Sequence, residues 1–160
     1  MRIGVIGPGT PDAGSGDEQL AERVGELLAR RGATLVCGGL GGVMAAACRG
    51  AQRAGGTTVG LLPGLDTDGA NPYLTVALPT GLGELRNGLV VNASQAVICV
   101  GGSWGTLSEM ALALRTGTPC VGLACWAVDT LGSEQERTVH RAESPEDAVD
   151  AALTAASAAR

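Results

Sequence analysis

The chain has 160 residues, which is enough for one domain with a full hydrophobic core that needs neither disulfides nor metal. All 11 basic residues are arginine, which excludes chemistry that depends on lysine, such as a Schiff base with pyridoxal phosphate or a Walker A phosphate site. The formal net charge is -5 and the arginines are scattered along the chain, so we expect no nucleic-acid partner.

The first part of the chain alternates short apolar strands with amphipathic helices. The helix after the first strand carries Leu20, Val24 and Leu28 on one stripe, and Gly32 stands where a C-terminal cap belongs. The predicted elements are, in order, strand 2–6, helix 17–31, strand 34–37, helix 43–54 and strand 57–62.

The second part continues this alternation after a turn-rich loop over residues 63–71. The predicted elements are strand 74–78, helix 83–94, strand 96–100, a helix ending near residue 115, strand 120–124, a loop over 128–136, edge strand 138–141 and a final helix, opened by Ser144-Pro145, that runs to the C-terminus. The whole pattern predicts one domain over residues 1–160. Its expected fold is Rossmann-like α/β, a doubly wound, mostly parallel sheet with helices on both faces.

The cysteine and histidine content argues against a metal site. None of the five cysteines forms a CxxC pair and most lie in apolar segments, which indicates reduced, buried thiols in a cytoplasmic protein. His140 is the one histidine, so we predict no metal and no resident cofactor. Because the chain starts with a strand and has no apolar run of membrane-spanning length, we expect a soluble protein without a membrane partner.

The most informative segment is the glycine-rich turn that follows the strand at 96–100. A strand that ends in glycines before a helix leaves several backbone N–H groups pointing at one place, where the helix dipole adds positive charge. Glu109 follows one helical turn later. The pattern predicts a binding site for a nucleotide or a similar phosphorylated small molecule, with a carboxylate beside the anion.

The glycine turn after the first strand does not indicate the usual dinucleotide site. Gly7-Pro8-Gly9 and the residues after it fit no GxGxxG motif, and their prolines would interrupt the start of a helix. The second strand ends in Cys37-Gly38-Gly39, where an acidic residue for the ribose hydroxyls would be expected. Both features argue against classical NAD or FAD binding.

The segment from Gly101 to Glu109 resembles the PGGxGTxxE signature of the LOG-like proteins. This family is often mislabelled as lysine decarboxylases and includes cytokinin riboside 5′-monophosphate phosphoribohydrolases. The turn at 37–44 is similar to the family's GGG-x-x-GLM turn, and Arg86 precedes the signature strand. Further motifs resemble the DprA/Smf-related branch, which includes the molybdenum cofactor carrier protein: Pro63-Gly64, Asn71-Pro72-Tyr73, Thr80-Gly81 and Arg86-Asn87.

The resemblance implies an enzyme that cleaves the N-glycosidic bond of a nucleoside 5′-monophosphate. In that reaction Glu109 would stabilise the oxocarbenium-like transition state or orient water, and Arg86 would bind phosphate or ribose oxygens. The implied phosphate- and nucleotide-binding residues are Gly7, Gly9, Gly38, Gly39, Gly41, Gly42, Gly101, Gly102, Ser103, Trp104, Gly105 and Thr106. Val100 and Asn87 depart from the hydrolase pattern, which has proline and lysine there. The alternative is therefore a non-catalytic carrier of a nucleotide or a phosphorylated pterin such as the molybdenum cofactor.

Three questions stay open from the sequence. Thr106 and Glu109 also fit a capping box, in which each side chain caps a backbone N–H group of the helix. Trp104 suits either stacking on a base or a subunit interface. The resemblance implies a homodimer or homotetramer, for which the predicted helix at 83–94 offers Leu85, Leu89 and Val90.

Overall fold

In the computed structural model, which describes residues 1–10, 12–128 and 138–158, seven strands form one parallel sheet. The strands are β1 (Arg2–Ile6), β2 (Thr34–Cys37), β3 (Thr58–Leu62), β4 (Val76–Pro79), β5 (Ala96–Val100), β6 (Cys120–Leu123) and β7 (His140–Ala142). Their order across the sheet is β4-β3-β2-β1-β5-β6-β7, with Ile3 of β1 paired to Leu35 of β2 on one side and to Ala96 of β5 on the other. The predicted fold class is confirmed.

Five α-helices and one short 3-10 helix cover the two faces of the described sheet. They are α1 (Ser15–Arg30), α2 (Val43–Arg53), the 3-10 helix (Gly83–Arg86), α3 (Asn87–Ala93), α4 (Trp104–Thr116) and α5 (Pro145–Ala158). Because side chains alternate along a strand, Ile3 and Val5 of β1 pack with α1, α2 and α5, whereas Ile6 packs with α3 and α4. Each face therefore has its own apolar core.

Two glycines allow α1 and α2 to pack closely on the first of these faces. A Cβ atom added at Gly25 would collide with the carbonyl of Ala47, and one added at Gly50 would collide with the carbonyl of Glu22. The helix pattern predicts both helices but gives no sign of this close contact, because each glycine acts on a helix distant in sequence.

The predicted helix at 83–94 is present in two contiguous parts, a 3-10 turn over Gly83–Arg86 that leads directly into α3 at Asn87. Gly83, at its start, has a positive φ of 54°. Arg86, the last residue of the 3-10 turn, is buried. Val90 is also fully buried in the chain's own core, so it is not available to a second subunit, while Leu85 and Leu89 are exposed.

The remaining predicted elements agree with the structure to within about two residues, and the loop over 63–71 contains neither helix nor strand. Most of the predicted loop at 128–136 lies outside the described residues. All five cysteines are free, and Cys125 alone among them is not fully buried. No helix in the described ranges is long and apolar enough to cross a membrane.

The strand order reverses between β1 and β5. The chain builds the sheet outward from β1 to β4 and then returns to add β5 on the other side of β1. In open parallel sheets a ligand binds at the carboxyl ends of the strands, in the crevice where the order reverses. The turns after β1, β2 and β5 all leave the sheet at that edge.

Candidate functional site

A cavity of about 930 Å³ opens at this edge, at the carboxyl ends of β1, β2 and β5. The structure brings nine of the residues predicted from the sequence together in its wall: Gly7, Gly9, Gly38, Arg86, Ser103, Trp104, Gly105, Thr106 and Glu109. Apolar side chains, among them Ile6, Met44 and Leu112, complete the lining. A few converging polar groups in a largely apolar cavity are typical of small-molecule sites.

Three of the predicted glycines after β2 do not line the cavity. Gly39 (φ 78°) leaves room for the side chain of Leu62, and a Cβ atom at Gly41 would lie 2.5 Å from the hydroxyl of Thr10. Gly42 (φ 62°) packs directly on the carbonyl of Pro8. These glycines are required by the close packing of the turn against its neighbours.

The first two glycines after β5 also pack within the protein. Gly101 has a positive φ of 66°, and a Cβ atom there would lie 2.6 Å from Asp17 Oδ2. A Cβ atom at Gly102 would lie 2.8 Å from the indole nitrogen of Trp126. The residues that line the cavity here are the N-cap Ser103 and the first helical residues, Trp104 to Thr106.

Arg86 is the central cation of the cavity, although only 7% of its surface is exposed. Its guanidinium lies directly over Gly38, where any side chain would collide with it. Nη1 donates a hydrogen bond to Asn87 Oδ1 (2.9 Å) and lies 3.8 Å from Glu109 Oε1. Nε has no hydrogen-bond partner among the described residues. Burial lowers the pKa of Arg86, and Glu109 and Cys37 oppose that shift.

Asn87 forms a hydrogen bond with the guanidinium of Arg86 and links it to α4. Its amide oxygen accepts from Arg86, and its amide nitrogen donates to Ser108 Oγ on α4 (3.4 Å). The hydrolase pattern has lysine at this position, and a lysine ammonium has no acceptor atom. A lysine at position 87 could therefore not accept the hydrogen bond that Arg86 donates here.

Glu109 is the buried acid of the cavity, with 6% of its surface exposed. Burial raises the pKa of its carboxyl to about 7, and the nearby charge of Arg86 reduces the rise. Arg86 Nη1 and Glu109 Oε1 are 3.8 Å apart, which is too long for a hydrogen bond between them.

The capping-box alternative for Glu109 is wrong, because α4 begins earlier than that pattern requires. Ser103 is the N-cap, and its Oγ accepts a hydrogen bond from the N–H of Thr106 (3.3 Å) and contacts the Thr106 hydroxyl (2.9 Å). Thr106 is thus already inside the helix, and Glu109 lies in its second turn. The other N–H groups of the first turn have no acceptor within the helix.

Trp104 lines the cavity and contacts the chain's other tryptophan, Trp126, which is not part of the lining. Trp104 is 81% exposed and Trp126 is 41% exposed. Their ring centroids are 5.3 Å apart and the ring planes are 77° apart, an edge-to-face contact. Sequence reasoning missed Trp126, which lies 22 positions after Trp104 in a segment without a motif. The rarity of aromatic residues, two Trp, one Tyr and no Phe, was the one available signal.

The chain is similar to several known proteins. The SLOG cluster4 family model matches residues 1–149. An uncharacterized protein from Archaeoglobus fulgidus is 45% identical over 117 residues, which are 73% of this chain and 76% of that protein. The molybdenum cofactor binding protein from Rippkaea orientalis has a TM-score of 0.85 and 38% identity, over 96% of this chain and 95% of that one. The molybdenum cofactor carrier protein from Chlamydomonas reinhardtii has a TM-score of 0.85 and 32% identity, over 98% of both chains.

These similarities support one of the family relationships expected from the sequence and leave another unconfirmed. They support the branch of the resemblance that includes carrier proteins, whereas the placement among the LOG-like proteins is not confirmed. DNA processing protein A from Helicobacter pylori, described as binding single-stranded DNA, has a TM-score of 0.71 and 20% identity, over 96% of this chain and 80% of that one. At that identity the likeness concerns the fold alone.

Proposed function

The chain belongs to the SLOG cluster4 family, and we propose that it is a non-catalytic carrier that binds a phosphorylated pterin of the molybdenum cofactor type. The proposal is supported by the similarity to the cofactor-binding protein of Rippkaea orientalis and the carrier protein of Chlamydomonas reinhardtii over nearly the whole chain. It is the alternative that the departures at Val100 and Asn87 suggested.

The observation that carries the proposal is the buried guanidinium of Arg86 with its unpaired Nε. An unsatisfied buried donor destabilises the protein by about 1–3 kcal/mol, and by more when the group is charged. An anion in the cavity would remove this penalty, because it would accept hydrogen bonds from Arg86. The first turn of α4 would supply backbone N–H groups to the same anion.

The residues of the cavity suit a phosphorylated pterin. Its phosphate would be held by Arg86 and by the start of α4 at Ser103 to Thr106. The cavity, at about 930 Å³, is in the size range of small-molecule sites and is large enough for a pterin with its phosphate. The apolar side chains of Ile6, Met44 and Leu112 would cover the remainder of the ligand.

Hydrolysis of a nucleoside 5′-monophosphate, which was the first hypothesis from the sequence, has no support from the similar proteins described above. The buried Glu109 with a pKa of about 7 also suits acid–base chemistry, so the same experiments must test both functions.

The first experiment measures binding by isothermal titration calorimetry with a 6-substituted pterin monophosphate. We expect Arg86→Ala to weaken binding by about 10- to 100-fold, because hydrogen bonds to a charged group contribute about 1.5–3 kcal/mol each. Arg31→Ala is the matched control, since Arg31 is exposed, pairs with Asp150 and does not line the cavity. Absence of binding to the unaltered chain would contradict the proposal.

The second experiment incubates the chain with a panel of nucleoside 5′-monophosphates and separates the products by chromatography. A carrier releases no free base from any of them. Release of base that is abolished by Glu109→Gln would replace the carrier function with the hydrolase.

A further inference from the structure

The two tryptophans form an aromatic pair, of which Trp104 lines the cavity and Trp126 supports it from outside the lining. Trp104 is in the first turn of α4. It leaves 81% of its surface in solvent, although burial of an aromatic side chain of this size would stabilise the fold by about 2–3 kcal/mol. Packing within the chain therefore does not account for a tryptophan here.

The backbone is shaped to bring Trp126 to this place. Ala124, at the end of β6, has a φ of 52° and is the one non-glycine residue with positive φ in the described part of the chain. This conformation costs about 1–2 kcal/mol for alanine. It turns the chain so that Trp126 lies over Gly102, where a Cβ atom would be 2.8 Å from the indole nitrogen. The indole of Trp126 thus lies two residues after a strained alanine and packs where Gly102 has no side chain.

The contact between the two rings leaves a free aromatic surface. Trp126 meets Trp104 edge to face, with 77° between the planes, so it supports Trp104 without covering both of its faces. Holding the ring in place reduces the entropy that a ligand would lose by ordering it. The result is a supported aromatic surface at the mouth of an anion-binding cavity.

We propose that Trp104, supported by Trp126, is the ring-binding subsite of the cavity and stacks on a flat heteroaromatic ring attached to the phosphate. This inference rests on the proposed function, because the phosphate that fixes the ligand is the one bound by Arg86 and α4. The ligand class is a phosphorylated pterin or purine, in which a short linker joins the ring to the phosphate. A sugar phosphate has no such ring.

The experiment compares two probes, a 6-substituted pterin monophosphate and ribose 5-phosphate, in calorimetric titrations. For the unaltered chain we expect the pterin probe to bind more tightly than ribose 5-phosphate. In Trp104→Leu this ratio of affinities should fall by about 5- to 100-fold, the range found for the loss of one ring-stacking contact. Trp104→Phe should restore part of the ratio. Leu65→Ala, which also removes an exposed apolar side chain but lies outside the cavity, should leave the ratio unchanged.

A spectroscopic reading accompanies the titration. Trp126→Phe leaves Trp104 as the single tryptophan, and its fluorescence should be quenched by the pterin probe beyond the quenching of free N-acetyltryptophanamide at the same concentration. Ribose 5-phosphate should not quench it. If the pterin probe binds the unaltered chain but Trp104→Leu keeps the full ratio, the subsite is wrong and the carrier function stands. If neither probe binds the unaltered chain, both the subsite and the carrier function are wrong.

Discussion

Two of the glycine-rich turns at the carboxyl edge of the sheet can be compared, the one after β2 at residues 38–42 and the one after β5 at residues 101–103. The turn after β5 ends in Ser103, the N-cap of α4, and Ser103 to Thr106 line the cavity. The turn after β2 contributes empty space, because Gly38 has no side chain and the guanidinium of Arg86 occupies that place. One turn leads into residues that line the cavity, and the other leaves room for an arginine side chain.

The two turns show two different reasons why a position requires glycine. At Gly42 a positive φ and a neighbouring carbonyl require glycine for the backbone itself. At Gly38 the atoms that a side chain would meet belong to the end of a flexible arginine. A substitution at the first position should therefore affect folding, and one at the second should affect the cavity.

The largest expected effect tests this separation directly. Gly38→Ala should displace the guanidinium of Arg86 and weaken binding of a pterin monophosphate by about tenfold or more, with a loss of stability below about 1 kcal/mol. Gly42→Ala should reduce the free energy of unfolding by about 2 kcal/mol or more and leave the affinity of the folded protein unchanged. Calorimetry and urea denaturation measure the two quantities. Equal effects of both variants on affinity would contradict the separation.

A second, smaller effect is the dependence of ligand affinity on pH, which we expect from the buried carboxyl of Glu109. Burial raises the pKa of Glu109 to about 7. Below that pH the acid is neutral and Arg86 is free to bind an anion, whereas above it the carboxylate competes for Arg86 and repels the ligand. Affinity for a phosphorylated ligand should therefore fall by up to about tenfold between pH 6 and pH 8.

Glu109→Gln provides the control for this pH dependence. The ligand's own phosphate also titrates, with a pKa near 6, and that contribution is the same in both proteins. We expect the ratio of the two dissociation constants, variant to unaltered, to fall as the pH rises. A ratio that stays constant from pH 6 to pH 8 would show that Glu109 does not change its charge in this range.

The smallest effect concerns the cap of the turn after β5. Ser103→Ala removes the acceptor for the N–H of Thr106 and should reduce the free energy of unfolding by about 1 kcal/mol in urea denaturation. Gly42, at the same position before α2, makes no side-chain cap, so the turn after β2 has no equivalent contribution. Ser157→Ala, near the exposed end of α5, is the matched control, and an equal loss there would contradict the role of Ser103 as a cap.

The sequence predicted which segments form the site. Ser103 to Thr106, from the glycine-rich segment before α4, line the cavity, and Arg86 and Glu109, named from the family motifs, lie 3.8 Å apart. Other features did not follow, because they depend on atoms distant in the sequence. The guanidinium of Arg86 over Gly38, the indole of Trp126 over Gly102 and the contact of α1 with α2 each bring together segments that no local pattern relates.

The amino-acid order determined the alternation of strands and helices, the face that each element buries and the positions of the glycine turns. These properties depend on backbone preferences and on periodicities of two and 3.6 residues, which act over a few neighbouring positions. The tertiary structure decided which glycines line the cavity and which pack against other parts of the protein, that Arg86 is buried, and that Trp104 contacts Trp126. Those properties depend on the order of the strands across the sheet, which sets the distances between segments far apart in the chain.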